Sequence, residues 1–399
     1  METIKEIYKC GHGPSSSHTM GPRFAAQLFL KQVPSAHSYK IYLFGSLAAT
    51  GKGHLTDTVL NEVFSKLNHS IEWKPEIFLP RHPNAIKFEA YDNRETIVAT
   101  QTYYSVGGGT VVDEDSLLNK NSLYPLTKLD DILRWCNENG RQLWEYVVHC
   151  EGDEIMDFLD NVWTVMSSSI KKGISEHGSL PGGLNLPRKA GLFHLKALNY
   201  SGPVKHRSLL FAYALAVSEE NASGGLIATA PTCGSCGVVP AVLMHFKKVY
   251  KSDRKQIVQA LATAGLIGNL VKYNASISGA EVGCQGEIGT ACAMASAAAN
   301  QLLGGSVYQI EYAAEMGIEH HLGLTCDPVA GLVQIPCIER NAFAAERALA
   351  HSDYALMSDG RHRISFDAVV ETMYQTGKDL SNNYKETSKS GLAMFRAMP

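Results

Sequence analysis

Cys326 and Cys337 bracket the segment LTCDPVAGLVQIPC, and Cys284 stands at the start of GCQGEIGTACAM. All three lie on backbone broken by Gly and Pro. Thiolates on rigid loops suit an iron–sulfur cluster, whereas zinc asks for four ligands at short paired spacings. Three buried structural thiols read the same way, since free cysteine is among the most buried residue types. TCGSCG (232–237) adds Cys233 and Cys236 as a Cys-x-x-Cys. No second close pair completes a zinc knuckle. A redox pair needs a strand before it and a helix after it, and GGLIATAPT offers a short strand.

Oxygen and imidazole chemistry concentrates near the N-terminus. GPSSSHTMGP (13–22) packs Ser15, Ser16, Ser17, His18 and Thr19 between Gly-Pro pairs, just ahead of a helical pattern. Hydroxyls beside exposed backbone N–H groups make a cradle for a carboxylate or phosphate. An N-cap would use one of those hydroxyls and leave the others over. GSLAATGKGHLTD (45–57) resembles a P-loop but fails as one. Five residues separate Gly45 from Gly51 where four are required, and Gly53 follows the lysine where Ser or Thr belongs. His54 on this Gly-rich turn is instead a candidate for acid–base work. His320 and His321 are adjacent on a helical stretch, point to different faces, and do not form a joint ligand pair.

The elements that must position these residues change character along the chain. YKIYLFGS (39–46) and ETIVATQTYYSV (95–106) read as strands. GPRFAAQLFLKQV and TDTVLNEVFSKLN carry apolar residues at helical spacing. Residues 1–110 thus predict an α+β domain, 111–128 a Gly-, Pro- and acid-containing linker, and 129–399 a mainly α-helical domain rich in Gly, Ala and Ser. Small residues let helices approach closely around something buried. The 399 residues are 45% hydrophobic and 19% charged with net charge -3, enough for a large core. No basic tract points to nucleic acid, and no purely apolar run of membrane-spanning length points to a membrane. Nine cysteines without an apolar leader predict reduced thiols and a cytoplasmic location.

Taken in order, the motifs resemble the iron–sulfur-dependent L-serine dehydratases (L-serine ammonia-lyases) in their single-chain form. GPSSSHTMGP and GSLAATGKGH-TD are similar to signatures of that family's β domain. NASGGLIATAPT, SGAEVGCQGEIGTA and GIEHHLGLTCDPVAGLVQIPCIERNA are similar to those of its α domain. The resemblance implies a lyase that converts L-serine to pyruvate and ammonia, in amino-acid degradation and gluconeogenesis, without pyridoxal phosphate. It implies a 4Fe–4S cluster on Cys284, Cys326 and Cys337 with one iron left open, and His54 as the base, with His18 next in line. Ser15, Ser16, Ser17 and Thr19 would line the substrate pocket from one domain, and Asn221, Gly225 and Thr232 from the other. It also implies a homodimer. One departure is Cys233-Gly234-Ser235-Cys236, where family members commonly carry Asn-Gly-Ala-Ala. The competing readings are an L-cysteine desulfidase and a non-catalytic serine sensor.

Overall fold

The computed structural model describes residues 1–113, 122–387 and 390–395. An α+β N-terminal region is followed by a mainly helical body. In the first region β1 (Cys10–His12) precedes α1 (Gly21–Gln32), β2 (Ser38–Phe44), α2 (Gly45–Thr50) and α3 (Thr56–Val63). Strands β3 (His69–Lys74), β4 (Ala85–Tyr91), β5 (Ile97–Ser105) and β6 (Val111–Asp113) follow. Five of the strands form one sheet in the order β3-β2-β4-β5-β6. The β2–β3 pair is parallel, because α2 and α3 carry the chain across between them, and the other pairs are antiparallel. Strand β2 alternates: Tyr39, Ile41 and Leu43 are buried, and the residues between them are more exposed. Its inward face packs with Ala25, Ala26 and Phe29 of α1 and Leu60 of α3.

The helical body comprises α4 (Leu129–Asn139), α5 (Leu143–Glu151), α6 (Glu154–Ser175), α7 (Ala190–Leu198) and α8 (Gly202–Ala222). A short strand, β7 (Leu226–Ala228), then leads to α9 (Val238–His245), α10 (Arg254–Asn274) and α11 (Gly279–Val282). Helices α12 (Thr290–Leu302), α13 (Val307–Glu319), α14 (Cys337–Leu356) and α15 (Phe366–Asp379) complete it. Helix α12 lies against α10, α13 and α14, and every residue from Thr290 to Asn300 is buried. Its sequence, TACAMASAAANQL, explains the close fit, since alanine and serine add little width. At Gly317 of α13 a Cβ would stand 2.4 Å from the Ala293 Cα.

The N-terminal segment up to β1 packs on this second body. Met1, Ile4, Ile7, Tyr8 and Met20 enter its core. Strand β1 pairs antiparallel with β7, and the Tyr8 hydroxyl donates to the Leu261 carbonyl at 2.8 Å. Val111–Asp113, where the sequence predicts the start of a linker, is the edge strand of the sheet. Residues 114–121 of that linker lie outside the described residues. Among the described residues no helix is long and apolar enough to cross a membrane.

Candidate active site

The serine-rich segment folds as one wide, π-type turn, Ser16–Met20, that runs directly into α1. Ser15 caps it: its Oγ accepts from the His18 N–H at 3.1 Å. Thr19 Oγ1 accepts from the Ser15 N–H at 3.1 Å and donates to the His54 carbonyl at 2.7 Å. Ser15 and Thr19 therefore hold the turn and tie it to the loop carrying His54. Thr56 Oγ1 donates to the His18 carbonyl and adds a second tie. The outcome is that the His18 and His54 rings meet edge to face, with centroids 4.5 Å apart.

The two imidazoles are not equivalent. His18 Nε2 lies 3.1 Å from the Ser46 carbonyl, which can only accept, so Nε2 carries the hydrogen. Nδ1 then holds a lone pair and accepts from the Ser17 hydroxyl at 2.8 Å. Burial lowers His18 to about 4, so it is neutral at pH 7. His54 is pushed well below its ordinary value, first by burial and then by His18. Its Nδ1 is buried with no hydrogen-bond partner among the described residues. The sequence suggests His54 on a flexible turn between a strand and a helix. It sits instead between α2 and α3, 1% exposed, on a turn pressed against the cysteine loop. A Cβ on Gly53 would stand 2.8 Å from the Gly331 carbonyl oxygen and 2.9 Å from that of Ala330.

The cysteine segment is a loop only in part. Cys326 pairs with Lys385 in an isolated parallel bridge, a single turn spans Val329–Gly331, and Cys337 is the first residue of α14. Cys284 immediately precedes a π-type turn, Gln285–Gly289, that continues into α12. Two of the three thiols thus stand at the electropositive starts of helical segments, where thiolates are favoured. A hydrogen bond from the Cys326 thiol, then the Arg340 guanidinium, hold Cys284 down at about 6 against its burial. Cys326 rises correspondingly, through that same hydrogen bond and its burial. Cys337 is raised by burial and by Cys284. The three thiols therefore neighbour one another, Cys284 and Cys326 buried and Cys337 half-buried. Such a donor set, with Arg340 to offset its negative charge, fits a cluster that takes three thiolates. Cys233 neighbours Cys236 and Glu287, and its Sγ lies 3.8 Å from the Met20 sulfur.

Three acidic or basic groups that sequence reading passes over complete the site. Glu287 follows Cys284 by three residues and is raised to about 8 by burial and by Cys284. Its Oε2 is 3.9 Å from Cys326 Sγ, and Thr232 hydrogen-bonds to it. Arg340 follows Cys337 by three and donates to the Thr325 carbonyl at 2.8 Å. The i, i+3 spacing from a cysteine is the signal that could have found both. Glu386 carries no such signal. Its Oε1 lies 3.5 Å from His18 Nδ1, and donor atoms of His18, His54 and Glu386 all fall within 4.8 Å of one another. Glu386 also neighbours Glu287 and Cys284, and so joins the histidine and cysteine halves of the site.

Of the remaining predicted residues, Asn221 donates from Nδ2 to the Pro14 carbonyl at 2.7 Å and leaves its buried Oδ1 without a partner among the described residues. Thr232 Oγ1 is 3.1 Å from Ser235 Oγ. The contacts of Gly225 are backbone ones: its N–H donates to the Glu220 carbonyl and its carbonyl accepts from Gly13. A cavity of about 310 Å³ opens beside this constellation, with Ser46, His82, Glu281, Lys385 and Thr387 in its wall.

Residues 61–393 match the family model described as serine dehydratase alpha chain, and residues 3–64 match serine dehydratase beta chain. The chain is 41% identical to an L-serine dehydratase of Streptomyces coelicolor over 447 residues, covering 98% of each chain. It is 40% identical to an L-serine dehydratase of Haemophilus influenzae, over 99% of each. Against L-serine dehydratase 1 of Escherichia coli it is also 40% identical, over 99% of each. These alignments run longer than the 399 residues of this chain, so the relatives carry internal segments that it lacks.

Proposed function

The chain belongs to the serine dehydratase family, and on that premise we propose that it eliminates water from L-serine to give pyruvate and ammonia. Cys284, Cys326 and Cys337 would hold a 4Fe–4S cluster, whose open iron supplies Lewis acidity toward the β-hydroxyl and so improves a poor leaving group. The observation that carries the reading is the meeting of the buried Cys284 and Cys326 and the half-buried Cys337 with two neutral histidines across Glu386.

Each half of the elimination finds a group. His54 takes the α-proton: it is neutral, and its Nδ1 is unengaged. His18 serves as positioner, because both its nitrogens are already committed. The Ser16 hydroxyl, at the start of a turn that continues into α1, receives the substrate carboxylate, while Ser17 holds His18. The C–H electrons form the C=C bond as the C–O bond breaks, and the hydroxyl leaves as water once the proton that His54 took from the α-carbon is returned to it. The resulting aminoacrylate tautomerises to an imine, and water hydrolyses it to pyruvate and ammonia. Burial of nearly every group named here keeps bulk water from the α-carbon during the elimination, and hydrolysis of the imine follows. No pyridoxal phosphate enters this reading, and a homodimer in the cytoplasm remains its setting.

The test is pyruvate formation under anaerobic conditions from L-serine and, in parallel, from L-cysteine. Turnover of serine well above that of cysteine supports the reading. Sulfide release from cysteine with serine inert would replace it with a desulfidase.

A further inference from the structure

Two helices of the second body are built inside out. Helix α7 buries Ala190 and Ala197 and turns Leu192, Leu195 and Leu198 outward, each more than half exposed. Helix α14 buries Ala344, Ala345, Ala348, Ser352 and Ala355 and leaves Phe343, Tyr354 and Met357 more than half exposed. Phe343 precedes Tyr354 by 11 residues and Tyr354 precedes Met357 by 3. Those steps are about three turns and one, so the three form a single stripe along the helix. A helix with water on one side places its large apolar residues on the other. Here the small residues face the core and the large ones face out.

The two faces are continuous through α8, which lies against both helices. Arg207 of α8 pairs with Glu346 of α14 at 2.7 Å, and the Phe211 and Phe343 rings stand 5.5 Å apart. Val204, near the start of α8, is also more than half exposed. Together these seven side chains present on the order of 800 Å² of apolar surface, which is what each partner gives to an interface of standard size. A typical monomer shows a smaller patch. The face is also divided by charge. Lys196 is exposed beside the leucines of α7, and Glu346 and the exposed Asp353 flank the stripe of α14. A copy turned about a two-fold axis parallel to the helices lays α14 of one chain on α7 of the other. Leucine then meets aromatic ring, and lysine meets carboxylate. An anionic lipid surface would meet the same carboxylates with repulsion.

We propose that the face formed by α7, the start of α8 and α14 binds a second copy of this chain as a two-fold dimer. This places the interface of the homodimer named above and does not depend on the serine chemistry, because its test reads size and not turnover. The experiment is sedimentation velocity of the anaerobic holoenzyme, with Leu195→Glu and Met357→Arg beside wild type. Wild type should sediment as twice the 43.4 kDa chain. Each variant should raise the dissociation constant on the order of 10²-fold, since one substitution enters a two-fold interface twice. Circular dichroism should show helix content kept, as both positions are exposed; a variant that loses it is set aside and the other decides. A monomeric wild type, or a dimer that the variants leave intact, would overturn the assignment. Binding of wild type to phosphatidylserine vesicles that Leu195→Glu abolishes would give the face to a lipid surface instead.

Discussion

His54 and His18 are near neighbours to which the proposed function gives different duties, and single substitutions test them. His54→Ala should lower kcat about 10²–10⁴-fold, the usual contribution of a general base, while the KM for serine changes little. Steady-state kinetics with α-deuterium exchange from solvent reads this; a change confined to KM would move the base elsewhere. Among the thiols, Cys284→Ala, Cys326→Ala and Cys337→Ala should each abolish bound iron, whereas Cys10→Ala and Cys150→Ala should keep it, as iron analysis of the purified proteins would report. At this scale the sequence was informative wherever chemistry-bearing types cluster: the serines, the two histidines and the three cysteines are visible in their motifs. Glu386 was not. A lone glutamate in YKETS looks like any solvated charge until the fold brings it against residues some 370 positions earlier.

The elements work through close approach. The turn bearing His54 fits against the cysteine loop because Gly53 has no side chain, and the obstacles a Cβ would meet are backbone carbonyls that cannot rotate away. Gly53→Ala should therefore displace His54, reduce kcat more than tenfold, and cost about 1–3 kcal/mol of stability as an overpacked contact does. Kinetics and a thermal melt on the same preparation would check both. Strands β2 and β5 were legible from their β-branched and aromatic residues, and helices α1 and α3 from helical spacing. Strand β1, three residues long and containing a glycine, has no local signal, since its pairing with β7 is set by contacts more than 200 residues apart. The π-type turn at Ser16–Met20 was likewise hidden, because a hydroxyl ahead of a helix reads as an ordinary cap.

At the scale of the whole molecule the N-terminal segment and the segment after α15 both fold back onto the helical body, and its buried histidines set its response to acid. His245 is lowered to about 4 by burial and by His206, and His351 to about 3 by burial and by His320. The unfolded chain takes up these protons near pH 6.5 and the native chain refuses them. Stability is thus full above about pH 6.5 and falls as the pH drops toward 4 and then 3. Each such histidine costs about 2 kcal/mol at pH 5. Denaturant unfolding at pH 7.5 and pH 5 should show a smaller acid loss for His245→Leu than for wild type; equal losses would refute the shift. The central claim, serine dehydration dependent on a cluster held by three cysteines, is met most directly by anaerobic titration of the iron-free protein with iron and sulfide, with pyruvate formation followed at each step. The account predicts turnover that climbs with bound iron and levels off near about four irons per chain. Full turnover from protein that carries no iron would contradict it.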